Sequence, residues 1–72
     1  MRTTNTIAVT LNGDLREITG GLTVTELLHE LGLHPRTVVV EHNREILRRE
    51  QLSEVLVQSG DVLELVHFVG GG

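Results

Sequence analysis

The residues best placed to do chemistry are three glycines, Gly70-Gly71-Gly72, which end the chain directly after an apolar run over residues 62–69. Glycine has no Cβ and reaches backbone conformations that are closed to other residues. A bare glycine tail can therefore enter a narrow channel and bring its terminal carboxylate to a reactive centre on another protein. The pKa of an α-carboxyl is about 3.5, so the Gly72 carboxylate is an anion at neutral pH. A frayed, inert end is the competing interpretation.

Length and composition exclude several classes of function. A chain of 72 residues makes one small domain, which has no room for a deep catalytic cavity beside a core. The net charge of −4 argues against nucleic acid and anionic membrane as partners. We expect no signal peptide, because no apolar stretch of the required length follows the first five residues, and no apolar run approaches the ~20 residues that cross a bilayer. We therefore expect a cytoplasmic protein.

The chain offers few groups that could react with an activated tail or bind a metal. It has no cysteine, and all six basic side chains are arginines, so only the α-amine of Met1 could attack an activated Gly72 within the same molecule. The four histidines (His29, His34, His42 and His67) show no paired metal-ligand spacing. We interpret them as surface or structural residues and expect no metal site.

The first elements that must position the tail form a predicted β-hairpin. Apolar residues alternate with Ala or Thr over residues 7–11, and Asn12-Gly13 is the strongest short hairpin signal. Residues 15–18 then return as the second strand. A strict two-residue turn places Leu15 on the outer face of this hairpin, whereas a one-residue bulge would reverse its side. The sequence leaves that choice open.

One short helix is predicted after the hairpin. Thr23 and Glu26 have the spacing of a capping box, and apolar residues then repeat on one helical face. Gly32 supplies the stop and Pro35 follows it, so the helix covers about residues 24–31. A helix of this length is not stable alone and must pack on a sheet.

The second half of the chain contains short elements and one long final strand. They are a valine-rich strand (37–41), a turn (42–44), a short strand (45–47), a helical turn (within 48–55), a tight turn (59–61) and the last strand (62–69). A hairpin followed by one helix across a mixed sheet of four to five strands is the α+β, ubiquitin-like β-grasp arrangement. We predict one domain over residues 1–72, with flexible ends at 1–5 and 70–72. The last strand pairs with the first, so the tail leaves the centre of the sheet.

From Ile7 onward the chain resembles the ThiS family, the sulfur carriers of thiamin thiazole biosynthesis. The segments that carry the resemblance are the hairpin (9–13), the helix opening (22–28), the strand 38–40, Arg48-Arg49-Glu50, the turn and strand 60–66 and the terminal glycines. Members commonly end in two glycines, and this chain has three. It also has an extension of about five residues at its start. Gly72 nevertheless carries the terminal carboxylate.

The resemblance implies a carrier cycle rather than an enzyme. A ThiF-like adenylating enzyme joins the Gly72 carboxylate to AMP, sulfur replaces AMP to leave a thiocarboxylate, and a ThiG-like thiazole synthase takes the sulfur. The small subunit of molybdopterin synthase shares this chemistry and is the closest alternative. A ubiquitin-like modifier, which would form amides with lysines, and an interaction module with an inert tail are the others.

The implied adenylation requires groups that this chain lacks. Attack of a carboxylate on the α-phosphate of ATP needs Mg²⁺ and cationic groups to offset the repulsion. The last basic side chain is Arg49, and the glycines precede no helix and no lysine of a phosphate loop. We therefore expect no cofactor on this chain, and expect ATP and Mg²⁺ to be used by the adenylating partner.

The last strand also presents candidate residues for binding partners. Leu63 and Leu65 share one face, which we interpret as the core because Glu64 lies on the other, together with Val66 and Phe68. Ordering three glycines costs roughly 3–6 kcal/mol. Burying Val66 and Phe68 in a partner would return about 1.5–3 kcal/mol each. The alternative is a strand that the protein itself covers on both faces.

Arg48 and Arg49 are a second candidate contact, for an acidic surface on a partner. Adjacent arginines of this kind more often form a solvated face, and we interpret Glu45 or Glu54 as their possible ion-pair partners.

Overall fold

In a computed structural model, which describes residues 5–68, the chain begins with an antiparallel hairpin. Strands β1 (Thr6–Leu11) and β2 (Asp14–Thr19) are joined by a two-residue turn. Its two residues have φ angles of 50° and 87°, as a type I′ turn requires. Thr10 lies opposite Leu15, which is 78% exposed on the outer face, so the strict turn is confirmed and the bulge is not formed.

Helix α1 (Val24–Glu30) begins at the predicted capping box. The Thr23 hydroxyl accepts a hydrogen bond from the backbone N–H of Glu26, and the Glu26 carboxylate accepts one from the N–H of Thr23. The helix ends where Gly32 adopts a φ of 78° and the N–H of Leu33 donates to a carbonyl one turn back. Its buried side chains, which pack on the sheet, are Val24, Leu27 and Leu28.

Three further strands complete the sheet. They are β3 (Val38–His42), β4 (Glu45–Ile46) and β5 (Val62–His67). His42 was predicted within the turn but is the last residue of β3, and Asn43-Arg44 alone make the turn to β4. A 3-10 turn (Arg49–Gln51) lies in the segment predicted as a helical turn. Val69, the predicted last residue of the final strand, lies outside the described residues.

The strand order is β2-β1-β5-β3-β4, with β1 and β5 parallel and the other neighbours antiparallel. This is the predicted β-grasp arrangement, with β5 at the centre of the sheet. The helix covers one face only, so Val38 and Val40 are buried beneath it while Val39, on the opposite face, is half-buried. The consequence is a domain with one sheet face against the core and one facing outward.

Candidate functional site

Strand β5 leads directly to the glycine tail. It is hydrogen-bonded to β1 on one side and to β3 on the other. The ladder continues past its last residue, because the N–H of Phe68 donates to the carbonyl oxygen of Thr37 at 2.8 Å. The predicted reactive residues Gly70, Gly71 and Gly72 lie outside the described residues. The segment before these glycines is hydrogen-bonded to the sheet as far as Phe68.

Two asparagines hold β5 in place with their side chains, which the sequence did not predict. In a regular ladder the backbone carbonyl of Asn12 would accept from the N–H of Leu65. Here the Asn12 side-chain oxygen accepts that bond at 2.7 Å, and its NH₂ donates back to the Leu65 carbonyl at 3.3 Å. Asn43 does the same at the other end of β5, where its side-chain oxygen accepts from the N–H of Val62 at 2.9 Å. Each asparagine thus extends the sheet beyond the turn in which it sits.

These asparagines share a backbone conformation that explains why the side-chain oxygen, and not the backbone carbonyl, accepts the bond from β5. Both have a φ of 50°, in the left-handed region that asparagine tolerates better than most residues. Both are the first residue of a two-residue hairpin turn, where the chain is already leaving the ladder. The side-chain amide then supplies the acceptor at the position of a strand carbonyl. The two amides together hydrogen-bond to both halves of β5, at Val62 and at Leu65.

Asp61 anchors the start of β5. Its side chain accepts hydrogen bonds from the N–H of Gln58 at 2.9 Å and from the Asn43 amide at 3.1 Å, and it lies 2.8 Å from Nε2 of His42. Burial by itself would raise the pKa of Asp61, but the hydrogen bonds from Gln58, His42 and Asn43 outweigh burial and lower it. The carboxylate is therefore held ionised where the turn enters the central strand.

The outward side of the sheet, here called the outer face, carries the predicted apolar anchors. Val66 is 59% exposed and Phe68 is 55% exposed, whereas Leu63 on the opposite side is fully buried. The predicted division of β5 into a core side and an exposed side is confirmed. The alternative, a strand covered on both faces by the protein itself, is wrong. The outer face comprises Ala8, Thr10, Leu15, Glu17, Val39, Glu41, Ile46, Val62, Glu64, Val66 and Phe68.

Arg48 and Arg49 follow β4, where the N–H of Leu47 still donates to the Val40 carbonyl, so Arg48 lies at the edge of the sheet beside Val39. Both are exposed, and Arg48 Nε is 3.7 Å from a carboxylate oxygen of Glu50, so the predicted pairing with Glu45 or Glu54 is wrong. The 3-10 turn that contains Arg49 packs against the beginning of α1, where the N–H of Thr25 donates to the Leu52 carbonyl.

The end of β5 lies at the other end of the helix. Leu31 and Leu33, at the end of α1, line a shallow groove together with Leu65 and His67. In the sheet, Val39 of β3 lies between Arg48 and Val66, so one strand separates the arginine pair from the predicted anchors.

The histidines have separate environments. His42 contacts Asp61, and Nδ1 of His34 accepts a hydrogen bond from the N–H of Arg36 at 3.1 Å. His29 and His67 are exposed. Among residues 5–68 no group of three or more His, Cys, Asp or Glu side chains could hold a metal ion, and no helix there is long and apolar enough to span a membrane.

Known proteins resemble this chain in both sequence and structure. The model of the ThiS family matches residues 9–72. The sulfur carrier protein ThiS of Bacillus subtilis is 46% identical over 50 residues, which cover 69% of this chain and 76% of that protein. The crystal structure of the thiamine biosynthesis protein ThiS from Geobacter metallireducens superposes with a TM-score of 0.77 and 39% identity, covering 92% of this chain and all of that one.

A longer relative matches over a similar region. A thiazole synthase of Paramagnetospirillum magneticum is 45% identical over 62 residues, which cover 86% of this chain but only 19% of that protein. This chain thus spans about a fifth of the length of the curated thiazole synthases that it matches. The family match extends from β1 through the three terminal glycines, and the structural neighbour has the same fold, so the chain belongs to the ThiS family.

Proposed function

We propose that this chain is a sulfur carrier in thiamin thiazole biosynthesis and that the Gly72 carboxylate carries the sulfur. The observation that supports this best is the family match, which extends to residue 72 and so includes the glycine tail. Relatives from Bacillus subtilis and Escherichia coli bear the name sulfur carrier protein. In this role the chain is a substrate of other enzymes and not itself a catalyst.

The proposed chemistry has two steps at the Gly72 carbonyl carbon. First, a carboxylate oxygen attacks the α-phosphorus of ATP and pyrophosphate leaves, which gives an acyl-adenylate. Then hydrosulfide, HS⁻, attacks the acyl carbon and AMP leaves, which gives a thiocarboxylate. We assign ATP and Mg²⁺ to a ThiF-like adenylating partner. Because adenylation consumes ATP, we place the reaction in the cytoplasm.

A ThiG-like thiazole synthase is the proposed acceptor of the sulfur. Two curated proteins named thiazole synthase contain a segment 40–45% identical to this chain within a polypeptide about five times as long. Joining two binding partners in one chain makes their encounter intramolecular and raises its effective concentration. That arrangement supports a direct encounter between this carrier and a separate thiazole synthase.

Val66 and Phe68 are the proposed apolar anchors for these partners. They are exposed on the outer face, and Phe68 is the last residue held on the sheet before the tail. Their burial in a partner would offset the roughly 3–6 kcal/mol needed to order the three glycines. Arg48 and Arg49, at the edge of the sheet after β4, are a separate proposed contact.

Intact-mass spectrometry tests the function. The chain is incubated with the adenylating enzyme of its own organism, ATP, Mg²⁺ and sulfide. We expect a mass gain equal to the replacement of one oxygen by sulfur, mapped to the last residue, and no gain in a chain that lacks Gly72. Absence of the gain, or its location elsewhere, would refute the proposal. Conjugates to lysines of other proteins would instead favour a ubiquitin-like modifier.

Single alanine substitutions test the anchors. Val66→Ala and Phe68→Ala should each raise the KM for the adenylating enzyme about fivefold, because each removes about 1 kcal/mol of apolar burial. Leu56→Ala is the matched control, since Leu56 is 53% exposed but lies outside the outer face. If all three variants behave alike, Val66 and Phe68 are not anchors. Arg48→Ala and Arg49→Ala in the same assay test the separate contact.

A further inference from the structure

Two glutamates of the outer face lie directly opposite each other on the neighbouring strands β3 and β5. Glu41 of β3 pairs with Glu64 of β5. In an antiparallel ladder, every second pair of opposite residues is joined by backbone hydrogen bonds. Such bonds join Thr37 with Phe68 and Asn43 with Val62, so the glutamates, at the same alternation, are also a hydrogen-bonded pair. Cα atoms in such pairs are about 5.5 Å apart. Like charges in this position destabilise a strand pair.

Within residues 5–68, neither glutamate of this pair forms an ion pair. The outer face carries three carboxylates, those of Glu17, Glu41 and Glu64, and none of its positions within residues 5–68 is basic. The ion pairs found in that part of the chain involve other carboxylates. The next outward pair along the ladder, Val39 opposite Val66, is apolar. An acidic pair therefore adjoins an exposed apolar patch.

A second copy of this chain is a poor occupant for this surface. Two outer faces placed together would bring six carboxylates into one interface, three from each copy, with no basic side chain from the described part of either face. Complementary charge requires a partner that presents a cation beside an apolar surface. Arginine suits two neighbouring carboxylates, because its planar guanidinium has five donors.

We propose that the Glu41–Glu64 pair binds an arginine of the thiazole synthase, next to the apolar contact made by Val39 and Val66. The inference rests on the proposed function, since it takes the thiazole synthase as the partner. It adds to that function which side chains of the carrier the thiazole synthase recognises, and by what kind of contact. The unfavourable pair in the free carrier becomes a favourable contact in the complex, so removing it has opposite effects on folding and on binding.

The test compares two double variants in the full chain. Glu41→Gln with Glu64→Gln removes both carboxylates and keeps their size. Glu45→Gln with Glu54→Gln removes the same total charge from exposed positions outside the outer face. Affinity for the purified thiazole synthase of the same organism is measured by calorimetry at about 50 mM and about 500 mM salt, where screening differs strongly. Thermal unfolding of each variant is recorded in parallel.

We expect the first double variant to unfold at the same or a higher temperature and to bind at least about tenfold more weakly at low salt. Its affinity should also depend less on salt than that of the wild-type chain. The control pair should bind within about twofold of wild type. Lower affinity together with lower stability would indicate a structural role and overturn the proposal.

Wild-type affinity and salt dependence in the first variant would also overturn it, as would a thiazole synthase that does not bind the wild-type chain. The sulfur-loading assay separates these failures from failure of the function. A wild-type chain that gains sulfur at Gly72 while the glutamate variant binds normally leaves the carrier function standing and removes only this inference.

Discussion

Replacing Asn12 by glycine isolates the side-chain clamp on the central strand. Glycine adopts the φ of 50° found at this position at no steric cost, so the hairpin turn is retained. What disappears is the pair of hydrogen bonds to Leu65. The variant therefore asks how much the clamp contributes to the stability of β5, apart from the turn.

The lengths of these two hydrogen bonds determine the expected loss of stability. The bond from the Leu65 N–H is 2.7 Å long and should contribute about 0.5–1.5 kcal/mol, whereas the 3.3 Å bond to its carbonyl lies beyond the usual range and adds little. The greater chain entropy of glycine in the unfolded state costs about 0.4–1 kcal/mol more. We expect a total loss of about 1–2.5 kcal/mol. The melting temperature should fall by about 4–8 °C for each kcal/mol.

Amide hydrogen exchange locates the effect. In Asn12→Gly, the Leu65 amide should lose more protection than the amides of α1, because its acceptor is gone. Gly13→Ala is the matched control, since it strains the turn at a φ of 87° but keeps the Asn12 side chain. It should lower stability without a selective loss at Leu65. A loss in Asn12→Gly of no more than the glycine entropy, with an unchanged Leu65 exchange rate, would refute the reasoning.

Three further substitutions test other parts of the structure. Asp61→Asn should lower stability at pH 7 by about 1–3 kcal/mol. Because the folded-state pKa of Asp61 is lowered, its contribution is complete above the unfolded pKa of about 3.9 and is lost as pH falls through the folded value. Urea unfolding from pH 7 down to pH 2 should therefore show a flatter acid dependence in this variant. Arg44→Gly should stabilise the protein by up to about 1 kcal/mol, because it relieves an arginine at a φ of 75°; an unchanged urea midpoint would count against strain there. Leu28→Ala should cost about 2–5 kcal/mol, since Leu28 is fully buried, and a smaller shift of the urea midpoint would mean that the core closes around the cavity.

Local signals predicted the elements well because the contacts that form them are close in sequence. The capping box joins Thr23 and Glu26, three residues apart, and the turn at Asn12-Gly13 depends on the φ angles of those two residues. The division of β5 into a core side and an exposed side followed from period-two alternation with one charged residue, Glu64, as the marker. These predictions required no knowledge of the rest of the chain.

The features that the sequence did not predict depend on which strands become neighbours. The contact of Asn12 with Leu65 joins residues 53 positions apart. Nothing near Asn12 in the sequence indicates this contact, because the hairpin turn already accounts for an asparagine at this position. Glu41 and Glu64 become a pair only through the register of β3 and β5. Arg48 and Arg49 were predicted as a second contact from their charge alone, and only the strand ladder shows that Val39 lies between Arg48 and Val66.

The central position of β5 has a mechanical consequence for the tail. A force applied to the residues after Phe68 acts along a strand that is bonded to neighbours on both sides, so it loads those bonds in shear and distributes the load among them. An edge strand pulled in the same direction would share the load with one neighbour only. We therefore expect that pulling on a partner bound to the glycines moves the whole domain without unfolding it. The carrier is then released when the partner's binding site opens, while the domain stays folded.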